Sequence, residues 1–152
     1  MTRRTRVTLV TIIGCTALVA GCRHESTVPD HGGSLPPKER AIFVHLTDSG
    51  GSCTPVMGTE PVEAYQGDTV VWDVRNDCTE DAEVEALDFM RNGHGNDPFE
   101  PGAKKGSVNR AQHKPLKFKL KGDAEKGKYK YTFAVANGGR LDPELVVDGR
   151  RH

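Results

Sequence analysis

The sequence predicts an all-β fold, a two-sheet sandwich of seven or eight short strands. Several segments alternate apolar and polar residues with a period of two, which places one face of a strand against a core. Turn residues separate these segments, and neither a long helical pattern nor an internal repeat interrupts them. The chain has 152 residues, enough for one domain and additional segments.

The first 21 residues predict a bacterial lipoprotein signal peptide. A start rich in arginine precedes an apolar run over residues 7–20, which is too short to span a bilayer comfortably. The run ends in Leu-Val-Ala-Gly-Cys, which resembles the lipobox that signal peptidase II cleaves before a lipid-carrying cysteine. We therefore expect Cys22 to begin the mature chain and to anchor it to a membrane surface. The alternative is an ordinary signal peptide followed by an unrelated cysteine.

A flexible tether is predicted between the lipid and the folded domain. Residues 22–40 are rich in proline and glycine, and two histidines, His24 and His31, are expected to be solvated there. Arg23 follows the cysteine in place of the aspartate that retains enterobacterial lipoproteins at the inner membrane. This difference favours the outer membrane, with the protein facing the periplasm. The folded domain is predicted to span residues 41–149.

The charge balance does not indicate nucleic-acid binding. The chain has 21 basic and 21 acidic residues, and three of the basic ones lie in the predicted signal peptide. The mature chain would hold 18 basic and 21 acidic residues, a net charge of −3 with neutral histidines. Nucleic-acid-binding domains instead carry a basic patch or stripe.

The four cysteines predict one disulfide. Cys15 leaves with the signal peptide and Cys22 takes the lipid, so Cys53 and Cys78 remain. In an oxidising periplasm two remaining cysteines most simply pair with each other. Closing a loop of about 25 residues stabilises a fold by roughly 3.5 kcal/mol on the chain-entropy model. The alternative is a thiolate copper site.

The first predicted strand covers residues 41–47 and is followed by a turn at 48–51 and an extended piece near 53–56. Its alternation separates a core face from an opposite face that carries Phe43 and His45. We expect His45 to be a structural histidine and not a ligand. The core face consists of Ile42, Val44 and Leu46.

A turn-and-strand motif follows at residues 66–74. Gly67 and Asp68 form the turn, and alternation directs Val70, Trp72 and Val74 into the core. Trp72 is the only tryptophan, and we expect it to fill space between the two sheets. This Gly-Asp-x-Val-x-Trp pattern resembles one that is common in cupredoxins.

Residues 127–148 predict a closing hairpin. The first strand alternates, the tip Asn137-Gly138-Gly139 supplies residues that accept a positive φ, and a second strand follows Pro143. This hairpin resembles the one that closes the sandwich of plastocyanin and azurin. Together with the Gly-Asp motif, it implies a cupredoxin-like Greek-key sandwich. The residues on its inward face are Tyr129, Tyr131, Phe133 and Val135.

The resemblance does not extend to the copper ligands. In copper-carrying cupredoxins this hairpin supplies a Cys, a His and usually a Met. Laid without gaps, these three positions fall on Phe133, Ala136 and Leu141, none of which can bind copper. The stretch expected to hold the first histidine ligand, residues 76–85, contains no histidine. The prediction is therefore a domain with no metal and no cofactor.

A different copper site is the alternative. Met90 and His94 could bind copper with His113 or His45, although isolated Met and His residues are usually not ligands. Met90 and His94 lie at the start of a loop predicted at residues 90–112, which is long for a compact domain. Loops of this size are often functional, but the pattern favours an ordinary strand-to-strand excursion with a helical turn.

Two further strands are predicted at residues 82–89 and 116–121, and both lie in charged surroundings. Residues 77–88 are acidic, whereas residues 114–130 contain seven lysines. Such a bipolar domain could orient partners through its long-range field. Alternatively, the lysines protect edge strands from aggregation. Leu116, Phe118 and Leu120 face inward in the second of these strands.

No catalytic motif is present, so the sequence predicts that the protein is not an enzyme. There is no nucleophile elbow and no zinc signature. The leading hypothesis is a membrane-tethered, non-catalytic interaction domain that meets an envelope protein in the periplasm. A periplasmic copper-binding or electron-transfer protein with noncognate ligands is the main alternative. An enzyme inhibitor or accessory subunit is a third.

Overall fold

The computed structural model describes residues 36–58 and 61–149, in which eleven β-strands form two sheets. Among the described residues, no helix has the length and apolar character needed to cross a membrane. The predicted signal peptide, Cys22 and nearly all of the tether lie outside the described residues. The strands are β1 (Glu39–Ser49), β2 (Ser52–Met57), β3 (Val62–Tyr65), β4 (Thr69–Asn76), β5 (Ala82–Arg91), β6 (His94–Gly95), β7 (Lys105–Val108), β8 (His113–Lys119), β9 (Gly127–Val135), β10 (Arg140–Leu141) and β11 (Glu144–Asp148).

The chain alternates between two sheets that enclose one core. Sheet A has the order β2-β1-β4-β8, and sheet B has the order β3-β11-β9-β5-β6, with β7 paired to β5 and β10 paired to β9. Most neighbours are antiparallel, but β1 runs parallel to β4 and β11 runs parallel to β3. The arrangement of all eleven described strands in two sheets confirms the predicted all-β sandwich. The strand count exceeds the prediction because β6 and β10 have two residues each and β7 lies inside the predicted loop.

The core is organised around Trp72, as the sequence predicted. Its indole N–H donates a hydrogen bond to the Tyr131 hydroxyl at 3.1 Å, which satisfies the polar atom of a buried ring. Four aromatic rings surround it, with centroids 5.2–6.4 Å away. The predicted inward residues of β1, β4 and β9 are all buried. The four rings belong to Phe99, Phe118, Tyr131 and Phe133.

The segment 90–112 is structured, and the described residues of the chain contain no helical turn there. It holds β6 and β7, and Phe99 and Val108 are buried in the core. Phe99 also forms an isolated bridge with Leu120. The sequence did not reveal this because Phe99 stands alone between prolines and charged residues, without a periodic neighbour.

The domain begins earlier than the predicted boundary at residue 41. β1 starts at Glu39, and the backbone N–H of Lys38 donates to Asp68 Oδ1 at 2.8 Å. Asp68 also accepts from the backbone N–H of Tyr65 and from Arg40 Nε. Burial alone would raise the pKa of Asp68, but these hydrogen bonds and the Arg40 charge outweigh it and lower the pKa. Asp68 therefore ties the start of β1 to the turn before β4.

Candidate functional site

The hairpin position that carries the copper cysteine in cupredoxins is occupied here by a core residue. Phe133 is 1% exposed, and its ring centroid lies 6.4 Å from that of Trp72. This confirms the predicted burial of Phe133. Leu141 is half-buried opposite Phe133, whereas Ala136 is exposed, so the three ligand positions do not form one buried cluster. None of these side chains offers an atom that binds copper, and the residues do not fit a copper centre.

Asn76 is the last residue of β4 and the first residue of the stretch 76–85, which was expected to hold the first histidine ligand. The side chain is fully buried, and its amide N–H groups donate to the carbonyl oxygens of Glu80 and Val108 at 3.0 and 2.9 Å. Its side-chain oxygen accepts from the backbone N–H of Cys78 at 3.0 Å. Asn76 thus joins three segments as a satisfied structural residue. Across residues 36–58 and 61–149, no group of three or more His, Cys, Asp or Glu side chains could hold a metal ion.

The predicted disulfide is confirmed. Cys53 in β2 and Cys78 after β4 are bonded, with their Cα atoms 5.7 Å apart. The bridge joins the edge strand of sheet A to the end of a central strand that is not its direct neighbour. It therefore fixes β2 at one end of the sandwich.

The tip of the closing hairpin packs against β2, and this corrects the role assigned to its glycines. Of the three tip residues, Asn137 has a positive φ of 57°, whereas Gly138 and Gly139 do not. A Cβ atom on Gly138 would lie 2.3 Å from the carbonyl oxygen of Cys53, and one on Gly139 would lie 2.8 Å from Thr54. These glycines are required for close approach to β2 and not for the turn conformation.

The outer face of sheet A carries a groove in which exposed apolar side chains lie beside polar and charged ones. Strand register places Val56, His45, Arg75 and His113 side by side across β2, β1, β4 and β8. The next row holds Phe43, Asp73 and Pro115. Apart from Pro115, the residues of both rows line a groove of about 660 Å³, which we call the sheet A groove.

Two apolar side chains in the groove are unusually exposed. Phe43 is 65% exposed and Val56 is 52% exposed. Among the described residues, Met90 at 41% is the other exposed large hydrophobic side chain, and it lies in sheet B. Exposed apolar side chains that cluster beside polar groups are typical of binding surfaces.

Paired polar and charged side chains surround these apolar side chains. His45 Nε2 lies 2.7 Å from Asp77 Oδ2, and Arg75 Nε donates to Asp77 Oδ1 at 3.1 Å. The hydrogen bonds from Arg75 and then from His45 hold the pKa of Asp77 below its ordinary value. His113 Nε2 is in contact with Asp73 Oδ1 in the neighbouring row. The groove therefore combines two histidine–aspartate pairs with one arginine.

The sequence placed Phe43 and His45 on the outer face but assigned them no function, and it missed Arg75 and Val56. The four residues come from three strands, so their proximity depends on strand order. The only available signal was the repeated alternation of charged or aromatic residues on the solvent side of β1 and β4.

The structure does not assemble the alternative copper site. Met90 lies on β5, and His94 lies opposite Arg91 on the adjoining β6 of sheet B. His45 and His113 belong to sheet A, and each is paired with an aspartate. The four candidate ligands are thus divided between two sheets.

Three of the seven lysines in residues 114–130 form ion pairs with glutamates. Lys117 pairs with Glu39 at 2.6 Å, and Lys119 pairs with Glu100 at 2.8 Å. Both lie on β8, an edge strand of sheet A. This arrangement favours edge protection over a long-range field, because paired charges on an edge strand contribute little net potential.

No protein-family model matches the chain, and no curated relative matches it. Solved structures that resemble it include McoA multicopper oxidase from Aquifex aeolicus, with 16% identity over 75% of this chain and 29% of that protein, and a TM-score of 0.42. A multicopper oxidase from Campylobacter jejuni gives 14% identity over 73% and 26%, with a TM-score of 0.40. Lac15 from a marine microbial metagenome gives 18% over 75% and 33%, with a TM-score of 0.38. The chain spans less than half the length of each of these proteins.

These neighbours bear on two predictions. The two-sheet sandwich is cupredoxin-like, as the sequence predicted. The prediction that the protein is not an enzyme is contradicted, because the solved structures that resemble it are oxidases. At identities of 18% or less the likeness concerns the fold alone, so it assigns no reaction to this chain.

Proposed function

We propose that this protein is a lipid-anchored binding protein of the bacterial envelope and that the sheet A groove is its binding surface. The observation that carries the proposal is the exposure of Phe43 and Val56 beside Arg75. A small domain normally buries aromatic side chains, and Phe and Arg are enriched in protein interfaces. The lipid anchor rests on the sequence around Cys22, and it would hold the domain near other envelope proteins.

The charges support recognition of a protein surface. Each carboxylate of the groove has an imidazole partner, and Arg75 shares Asp77 with His45. Polar groups that are positioned by such contacts give specificity to an interface, while the apolar side chains supply most of its energy. The groove therefore resembles a protein interface in composition, with apolar side chains at its centre and polar side chains at its rim.

A photo-crosslinking amino acid placed at Val56 tests this proposal in the living bacterium. The full chain with p-benzoylphenylalanine at position 56 is expected to give a protein adduct after illumination. The matched control carries the same group at Met90, an exposed hydrophobic position on sheet B. Absence of an adduct at 56, or identical adducts at 56 and 90, would contradict the proposed surface.

A further inference from the structure

We infer that the occupant of the sheet A groove is a second copy of this chain, bound face to face about a two-fold axis. This inference rests on the proposed function and specifies the partner. Two-fold interfaces are self-complementary, so the same patch must be able to meet itself without repulsion. The charge pattern of β4 meets this requirement.

Outward-facing charges alternate in sign along the end of β4 and at Asp77, just after the strand. Asp73, Arg75 and Asp77 follow one another at every second position, which places all three on the solvent face of sheet A. A second copy of β4, turned end for end about an axis between positions 73 and 75, brings each Arg75 opposite the Asp73 of the other copy. The pattern thus pairs opposite charges twice and places no like charges opposite each other at the centre.

Arg75 retains donor atoms for a second contact at this centre. The hydrogen bond and ion pair of Arg75 within the described part of the chain use Nε, and its side chain is 66% exposed. The two terminal nitrogens of its guanidinium are therefore suited to another carboxylate. Asp73 Oδ1 is a buried atom that lies beside His113 and makes no hydrogen bond within the described residues, so this carboxylate would act on Arg75 of the second copy through its charge and not through an accessible Oδ1.

Apolar burial would supply the energy of this contact. Phe43 lies beside Asp73 in the strand register, and Val56 lies beside His45. Because Phe43 neighbours Asp73 in the register, an axis between positions 73 and 75 also brings both Phe43 rings close to the centre of the interface, where water is excluded most completely. Anchoring of both copies in one membrane raises their effective concentration, so a modest intrinsic affinity is sufficient.

Crosslinking between two tagged copies tests the inference in the membrane. The full chain is produced in two versions with different affinity tags, each with p-benzoylphenylalanine at Phe43, which keeps an aromatic ring there. Illumination before solubilisation is expected to give an adduct that carries both tags. An adduct formed only with another protein overturns the inference, and so does the absence of any adduct at position 43.

Charge reversal tests the proposed pairing directly. Arg75→Asp should lower the yield of the doubly tagged adduct by about tenfold or more, as expected for loss of a central interface contact. The double variant Asp73→Arg with Arg75→Asp restores an opposite-charge pair across the axis and should recover the adduct. Met90→Asp is the control and should leave the yield unchanged. An adduct yield that is equal in all variants overturns the inference.

A second variant guards against misfolding. Val56→Asp changes an exposed position on an edge strand, and it should reduce the adduct while the thermal unfolding midpoint stays near that of the wild type. If Val56 crosslinks to a different envelope protein while the two tags never join, the proposed function stands and the inference of a second copy falls. These two failures are therefore distinguishable.

Discussion

Gly139 donates its backbone N–H to the carbonyl oxygen of Cys53 at 2.8 Å, and this bond ties the hairpin tip to β2. The same residue of β2 carries the disulfide to Cys78. One end of the sandwich is thus held by a covalent bond and a backbone contact that share Cys53. These contacts join the hairpin of sheet B to the edge strand of sheet A.

Substitution of Gly138 should reveal how tightly this end is packed. Gly138→Ala would place a Cβ atom 2.3 Å from the Cys53 carbonyl oxygen, so the backbone must shift. We expect a loss of about 1–3 kcal/mol in the free energy of unfolding, as for overpacked positions. Urea unfolding measures this loss. Gly95→Ala is the control, because nothing lies within 4 Å of its added Cβ atom, and equal effects of the two changes would contradict the packing argument.

Truncation of Phe133 tests the filled copper position. Phe133→Ala removes a ring that is buried among Trp72 and its aromatic neighbours, and it should cost about 3–5 kcal/mol of unfolding free energy. Phe43→Ala removes the same group from an exposed position and should change the free energy by about 0.5 kcal/mol or less. Chemical unfolding of both variants gives the comparison. A near-neutral Phe133→Ala would show that the ring does not contribute to the core.

Acid should weaken the link between β1 and β4. The pKa of Asp68 is lower in the folded protein, so its ionised form contributes stability above its ordinary pKa of about 3.9. This contribution is lost as the pH falls below that value and through the folded pKa. Unfolding free energy measured from neutral to acid pH should therefore fall more steeply in the wild type than in Asp68→Asn. An equal pH dependence of the unfolding free energy in the wild type and in Asp68→Asn would show that Asp68 does not stabilise the link between β1 and β4.

The membrane anchor can be tested at one residue. Cys22→Ala should abolish labelling by a fatty-acid analogue and should leave the signal peptide uncleaved by the lipoprotein peptidase. Metabolic labelling followed by gel analysis shows both effects. Cys53→Ala together with Cys78→Ala is the control, because it removes two cysteines while the predicted lipidation site stays intact. Continued labelling of Cys22→Ala would exclude this residue as the attachment site.

Local patterns were sufficient to predict which side chains of several strands face the core. The alternation in β1, β4 and β9 identified inward residues such as Trp72 and Phe133, because a period of two specifies a face without knowledge of the partner strand. The disulfide was predictable because compartment and cysteine number left one simple pairing. These features depend on short segments or on composition.

Features that depend on contacts between distant strands were not predictable. The tip glycines had the composition of a turn, but their close neighbours Cys53 and Thr54 lie more than eighty residues earlier in the chain. The sheet A groove likewise requires β1, β2, β4 and β8 to lie in a particular order. Phe99 entered the core from a segment without periodicity. In each case the decisive information is a long-range pairing that no local pattern contains.

The position of β11 constrains when this protein can fold during its synthesis. Residues 144–148 lie between β3 and β9, so they occupy an interior place in sheet B although they follow every other described strand in the sequence. A nascent chain that lacks them leaves β3 without its hydrogen-bonding partner and exposes one edge of β9. Because non-local pairing of this kind is slow, we expect sheet B to close only after the last described strand has been synthesised.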